Sequence, residues 1–304
     1  MKRTIVFLVG PTAAGKTGLA LSLARRIGAR VISCDSMQVY KGMTILSSAP
    51  SAHDMKRVRH YLVGVIPPVE DFNVSRYRLR AMKAVRETVA ARKLPLFVGG
   101  SGLYMSVVVD GIFKSHPEDR KVRDRLARQA QLEGAGRLHA RLAEVDPLAA
   151  SRIHPNDARR IIRALEVYEV SGRPISELQQ RRRGLWETYD IRIFCLDLPR
   201  AELYRRIDSR VDQMFEAGIV DEVKALLKKR LGRTARCAIG INEVKGYLGG
   251  QYGLEKAKDM MKRNTRLYAK RQLTWFRKDK RIVWIDATDQ KAAEQKIIKS
   301  LRGA

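Results

Sequence analysis

Short, mainly apolar runs alternate along this chain with longer stretches in which apolar residues recur every three or four positions. The runs at residues 4–9, 30–33, 94–98, 191–196 and 282–285 are strand-length and end at polar or glycine-rich turns, which reads as strands with both faces covered. Helical spacing follows at residues 17–27, at 74–92 with Tyr77, Met82, Val85 and Val89 near one face, and at 203–229, expected as one amphipathic helix. Residues 256–280 form a further long helical segment, whereas 41–69, with Gly42, Pro50, Gly64, Pro67 and Pro68, hold no sustained period and read as irregular structure with short elements. From about Pro117 the strand signal disappears. Charged helical segments at 119–131, 137–144 and 158–170, punctuated by Pro147, Pro155, Gly172 and Pro174, predict a helical insertion over residues 117–189. The core domain is then built from residues 1–116 and 190–304.

The first strand runs into Gly10-Pro11-Thr12-Ala13-Ala14-Gly15-Lys16-Thr17, which fills the pattern G-x-x-x-x-G-K-[ST] between a strand and a helix. Backbone N–H groups of such a loop converge on phosphate oxygens, the helix start adds partial positive charge, and Lys16 a full one. Thr17 can reach a magnesium ion. The fold class is therefore α/β, a P-loop NTPase-like parallel sheet flanked by helices, with a helical insertion domain. A plain glycine-containing turn is the bland alternative, and the loop does not say which phosphate compound it holds.

Residues just past the carboxyl ends of strands in an open α/β sheet face the ligand crevice. The second strand ends on Cys34-Asp35-Ser36-Met37-Gln38-Val39-Tyr40, so Asp35 and Ser36 are expected to look toward the phosphate loop. A carboxylate there can bind magnesium through water or take a proton from a nucleophile; Asp35 or Ser36 could instead cap the next helix. The third strand opens into Gly99-Gly100-Ser101-Gly102-Leu103-Tyr104, which suggests close approach of backbone and Ser101 to an anion, or a plain turn with Ser101 as N-cap.

Charge changes the picture. Sixty Lys and Arg against 32 Asp and Glu give the 304-residue chain a formal charge of +28, which favours a polyanionic partner. Two basic clusters stand out. Arg159, Arg160 and Arg163 flank Ile161 and Ile162, with Arg159 and Arg163 on one helical face, and Arg263, Arg266, Lys270 and Arg277 form a stripe with Tyr268, Trp275 and Phe276 among them. A stripe of this kind can follow a phosphate backbone while rings stack on unpaired bases, although a solvated charged face explains either cluster alone. Cys34, Cys195 and Cys237 have neither metal-ligand nor disulfide spacing, and no run is long enough to span a bilayer. A soluble cytoplasmic protein with no membrane partner is expected, acting as a monomer.

Together these residues carry a resemblance. Residues 10–17, 35–40, 98–104, 153–168, 210–215 and 265–277 make the chain similar, in this order, to the tRNA dimethylallyltransferase family, also called tRNA isopentenyltransferases. The resemblance implies transfer of a dimethylallyl group from dimethylallyl diphosphate to the exocyclic amine of an adenine beside the anticodon, with Mg2+. It implies Asp35 as general base, Lys16 and Thr17 as diphosphate and magnesium contacts, and Ser101 as a catalytic hydroxyl, where the family usually has Thr. The tRNA anticodon stem-loop is expected to meet Asp35, Ser36, Met37 and Gln38, the cluster Arg159–Arg163, Arg236, Arg263, Arg266 and Lys270. The chain departs from the family pattern at Thr44 to Pro50, His60 to Gly64 and Ile241-Asn242. A free-nucleotide isopentenyltransferase and a P-loop kinase are the alternatives sharing its phosphate loop.

Overall fold

The computed structural model describes residues 2–113 and 119–302. Contacts divide the chain into two units, one of residues 1–109 and 188–304 and one of residues 110–187. The expected boundary at 116/117 lies outside the described residues.

The first unit is built on six strands, β1 (Thr4–Val9), β2 (Ala29–Ser33), β3 (His60–Tyr61), β4 (Leu94–Gly99), β5 (Asp190–Asp197) and β6 (Ile282–Asp286). They form one sheet in the order β3-β2-β4-β1-β5-β6, with every pairing parallel. β1 lies between β4 and β5, with Val9 level with Gly99 on one side and Cys195 on the other. The turns that leave these three strands therefore open at one edge of the sheet. Strand alternation divides the core between the two faces. Val6 and Leu8 pack with Leu19 and Leu23 of the helix Lys16–Arg26 and with Ala293 and Ile297 of the carboxyl-terminal helix Gln290–Arg302. Phe7 points the other way and stacks on Phe97 at 4.4 Å between ring centroids. The helix Val74–Ala90 places Tyr77 against Tyr104 of the helix Gly102–Val109, 3.8 Å between centroids.

One expectation is corrected and two are filled in. Residues 203–229 are not one helix but two, Arg200–Glu216 and Ile219–Leu227, because Gly218 takes a left-handed φ of 91°. Residues 41–69 contain the edge strand β3 and the short helix Ala52–Arg57, capped reciprocally by Ser51 and Asp54. The helices Ile241–Leu248 and Gln290–Arg302 add to those read from the sequence.

The second unit is helical where described, with Arg120–Glu133, Ala135–Val145 and Ala158–Ser171 as its longer helices. Leu126, Leu138, Leu142, Ile161 and Leu165 form its core. Two carboxylates tie its loops. Asp146 accepts from the N–H groups of Ala149 and Ser176, both at 2.9 Å, and Glu166, 1% exposed, accepts from Arg123 at 2.7 Å and Arg163 at 2.9 Å.

Candidate active site

The phosphate loop is curled by residues that leave the ordinary backbone regions. Ala13 has φ 64° and Gly15 φ 86°, and successive turns of opposite hand point main-chain N–H groups inward as an anion nest. The helix Lys16–Arg26 begins directly on Gly15, with no side-chain cap and no acidic residue in its first turn. Its first N–H groups thus have no intrahelical acceptor and their partial positive charge is open to a ligand. The Lys16 ammonium donates to the carbonyls of Gly10 at 3.0 Å and Pro11 at 2.6 Å.

Asp35 follows β2 and is held by its neighbours on both sides. Cys34 donates its N–H to Val98 at 2.7 Å and accepts from Ser101 N–H at 3.1 Å, while the Tyr77 hydroxyl donates to the Ser33 carbonyl at 3.1 Å. The Asp35 Oδ1 accepts from Met37 N–H at 2.8 Å and Gln38 N–H at 3.3 Å, which closes a turn and not a helix start; the next helix, Ala52–Arg57, is capped by Ser51 instead. Its Oδ2 accepts no hydrogen bond from the described residues. Glycine at 99 is what allows β2 and β4 to release their turns side by side, since a Cβ there would lie 2.1 Å from the Cys34 carbonyl oxygen. Gly99→Ala is accordingly expected to displace the backbone that carries Asp35, costing about 1–3 kcal/mol in urea unfolding and most of the catalytic rate.

Both turns border a cavity of about 700 Å³, lined from the first unit alone. Thr12, Ala13, Gly15, Lys16 and Thr17 of the loop reach it, as do Asp35, Ser36, Met37 and Gln38. Ser101 does not. Its hydroxyl accepts from Tyr104 N–H at 3.3 Å and caps the helix Gly102–Val109, the plain-turn alternative. Gly10, Pro11 and Ala14 are also behind the wall: they shape the loop without lining the cavity.

A residue given no role from the sequence completes the charged end. Arg210, on the helix Arg200–Glu216, lines the cavity and donates through Nε to Ser48 Oγ at 2.8 Å. Burial lowers its pKa, and Asp35 opposes the fall. Burial and then the Arg210 charge bring the Lys16 pKa down to about 8, against the raising effect of Asp35 and Cys195. Lys16, Arg210 and Asp35 therefore feel one another in a confined space where positive charge is in excess. The signal in the sequence was the stretch 210–215, whose position relative to the loop is set only by folding. Val31, Ile207, Val211, Met214 and Met261 supply apolar wall elsewhere in the cavity.

Residues 38–279 match the family model described as IPP transferase, and the tRNA dimethylallyltransferase of Desulforudis audaxviator is 46% identical over 94% of this chain and 92% of its own length. The chain belongs to the tRNA dimethylallyltransferase family. The tRNA dimethylallyltransferase of Geobacter sulfurreducens is 44% identical over the same shares of the two chains. Among solved structures, the full-length tRNA isopentenylpyrophosphate transferase of Bacillus halodurans is similar with a TM-score of 0.72, 38% identity, and coverage of 100% of this chain and 96% of that one. A eukaryotic dimethylallyltransferase acting on tRNA reaches a TM-score of 0.81 at 28% identity, over 97% of this chain and 78% of that one. These neighbours support the prenyltransferase reading over the free-nucleotide enzyme and the kinase.

The remaining candidates of this dimethylallyltransferase-family chain are not equivalent. Arg159 and Arg160 are exposed and carry no ion pair among the described residues, whereas Arg163 is engaged by Glu166. Ile161 is fully buried in the core of the helical unit and Ile162 packs against it, so they support that helix instead of offering a surface, a correction to the contact expected of them. On the helix Leu254–Phe276, Arg263 and Lys270 are exposed, but Arg266 is taken by both carboxylate oxygens of Asp208, at 2.8 and 2.7 Å. Phe276 is buried, Tyr268 lines the cavity and Trp275 stays 46% exposed, which separates three rings that the sequence placed in one stripe. Arg236 is exposed beside Cys237, which borders the cavity.

The family implies magnesium. Among the described residues no three His, Cys, Asp or Glu side chains converge as a metal cage. The Thr17 hydroxyl and the Asp35 carboxylate both line the cavity, and such oxygens fit an ion that keeps its waters and takes most other ligands from substrate phosphates.

Proposed function

We propose that this chain transfers the dimethylallyl group of dimethylallyl diphosphate to the exocyclic amine of the adenine beside the anticodon of tRNA. The observation that carries the reading is the meeting of Lys16, Arg210 and Asp35 at one cavity whose wall also supplies apolar side chains. The diphosphate lies on the loop N–H groups, with Lys16 turned from the Gly10 and Pro11 carbonyls onto its oxygens and Arg210 facing it. The apolar wall receives the five-carbon chain. As the allylic C–O bond breaks, its electron pair leaves with the diphosphate, whose growing charge Lys16 and Arg210 stabilise. The adenine amine bonds to the freed carbon and its proton passes to Asp35, whose Oδ2 is open to receive it. Thr17, and Asp35 through water, would hold magnesium, which supplies further neutralisation of the leaving group. Tyr268 offers a ring in the same cavity on which a flipped base can stack.

The acceptor is read from the cationic surfaces. Exposed Arg263 and Lys270 supply phosphate contacts near the cavity, and Arg159 and Arg160, with Arg163 braced by Glu166, supply them on the helical unit. No helix among the described residues is long and apolar enough to cross a membrane, and we place the protein in the cytoplasm as a monomer. Labelled dimethylallyl diphosphate with unmodified tRNA tests the reading, with AMP and ATP as competing acceptors. Label is expected in tRNA; label in AMP instead would replace this function with the free-nucleotide one. Replacing Arg263 and Lys270 together by Gln is expected to flatten the log–log salt dependence of tRNA binding by about one to two units. Arg266→Gln should change it less, because Asp208 already neutralises that charge.

A further inference from the structure

The amide of Gln272 ties together two turns at the carboxyl edge of the sheet. Gln272 projects from the helix Leu254–Phe276, is 5% exposed and lines the cavity. Its Oε1 accepts from the Thr12 N–H at 2.9 Å, and its Nε2 donates to the Gly100 carbonyl at 2.9 Å. The fit is close: a Cβ on Gly100 would lie 2.0 Å from Nε2. The amide has one workable orientation here, since exchanging O and N would set donor against donor at Thr12 and acceptor against acceptor at Gly100.

This contact divides the phosphate loop. Thr12 N–H belongs to Gln272 and Ala14 N–H donates to the Pro11 carbonyl at 3.3 Å, whereas the N–H groups of Ala13, Gly15, Lys16 and Thr17 donate to none of the described residues. An anion is received at the helix end, and the opposite end is closed by a buried side chain. In loops of this pattern the helix-end amides hold the inner phosphates, and a third phosphate extends past the lysine toward the strand side. We propose that Gln272 is a positioning residue that also sets the number of phosphates, by occupying the strand-side end of the cradle so that it takes a diphosphate and turns away a triphosphate. The proposal rests on the reading of the loop as a diphosphate site.

Competition against dimethylallyl diphosphate by inorganic diphosphate and inorganic triphosphate, at one magnesium concentration, tests it in the wild type, Gln272→Ala and Gln272→Met. Wild type should bind diphosphate more tightly than triphosphate. In Gln272→Ala the diphosphate inhibition constant should rise, and the preference for diphosphate should fall about tenfold as the Thr12 N–H and the vacated space admit the third phosphate. Gln272→Met keeps the bulk without the hydrogen bonds, so it should weaken diphosphate and still exclude triphosphate. A side chain that only supports the fold would lower the unfolding midpoint and leave the preference alone; an unchanged preference in folded Gln272→Ala overturns the proposal. Should that variant not fold, an unchanged diphosphate constant in Gln272→Met overturns it equally. A wild type that transfers the prenyl group but shows no preference sinks this inference alone, while one that binds neither anion sinks the diphosphate reading beneath it.

Discussion

Replacing Asp35 by alanine is expected to slow the chemical step about a hundredfold or more while tRNA binding changes little. The carboxylate has two jobs that must be separated, because its Oδ1 holds the turn at Met37 and Gln38 while Oδ2 stays open. Asp35→Asn separates them. Its amide oxygen can still accept from both N–H groups, but it cannot take the amine proton. If proton transfer is the function, single-turnover rates of Asp35→Asn and Asp35→Ala should be similarly low. Recovery of near-normal rate in Asp35→Asn would assign the residue to turn formation and leave the reaction without this base.

The second large effect is expected at Lys16. Its charge meets both the bound diphosphate and the departing one, so Lys16→Ala should weaken donor binding and slow transfer together, by about a hundredfold in kcat/KM. The environment adds a pH dependence. Burial and Arg210 leave Lys16 with a pKa of about 8, so the free protein holds the ammonium below that pH and loses it as pH rises through it. Donor affinity, and with it kcat/KM, should therefore fall by one proton's dependence above about pH 8. A bound diphosphate favours the charged form and moves the titration upward, which predicts a flatter kcat than kcat/KM over pH 7–9. A profile that keeps its alkaline limb unchanged in Lys16→Ala would show that another group titrates there.

What could be read from the sequence depended on whether a feature was written locally. Strands β1, β2, β4, β5 and β6 are mainly apolar runs with turns at their ends, and Asp35 was visible because it follows one of them closely. β3 has only two residues and no pattern to carry it. The break at Gly218 was hidden by apolar spacing that continues across it. The phosphate loop was legible as a motif, but which of its residues face the cavity was not, since Gly10, Pro11 and Ala14 spend themselves on shape. Ser101 satisfied both an anion-facing and a capping reading, and geometry favours the cap. Arg210 and Gln272 reach the site from helices far along the chain, and no spacing rule connects them to residues 10–17. Partners explain the basic clusters in the same way. Arg163 meets Glu166 three residues on, a pair written locally, whereas Arg266 meets Asp208 from another helix.

The segment Thr44 to Pro50, part of which lines the cavity, is fastened in part by its main chain. Glu222, on the helix Ile219–Leu227, accepts the Ile45 and Leu46 N–H groups, each at 2.8 Å, one on either carboxylate oxygen. A clasp on peptide groups does not read the side chains of Ile45 and Leu46, so the path of the segment is held separately from the Ser48 hydroxyl, which meets Arg210 at 2.8 Å. Position 222 is thus where a single carboxylate fixes the course of this stretch of cavity wall.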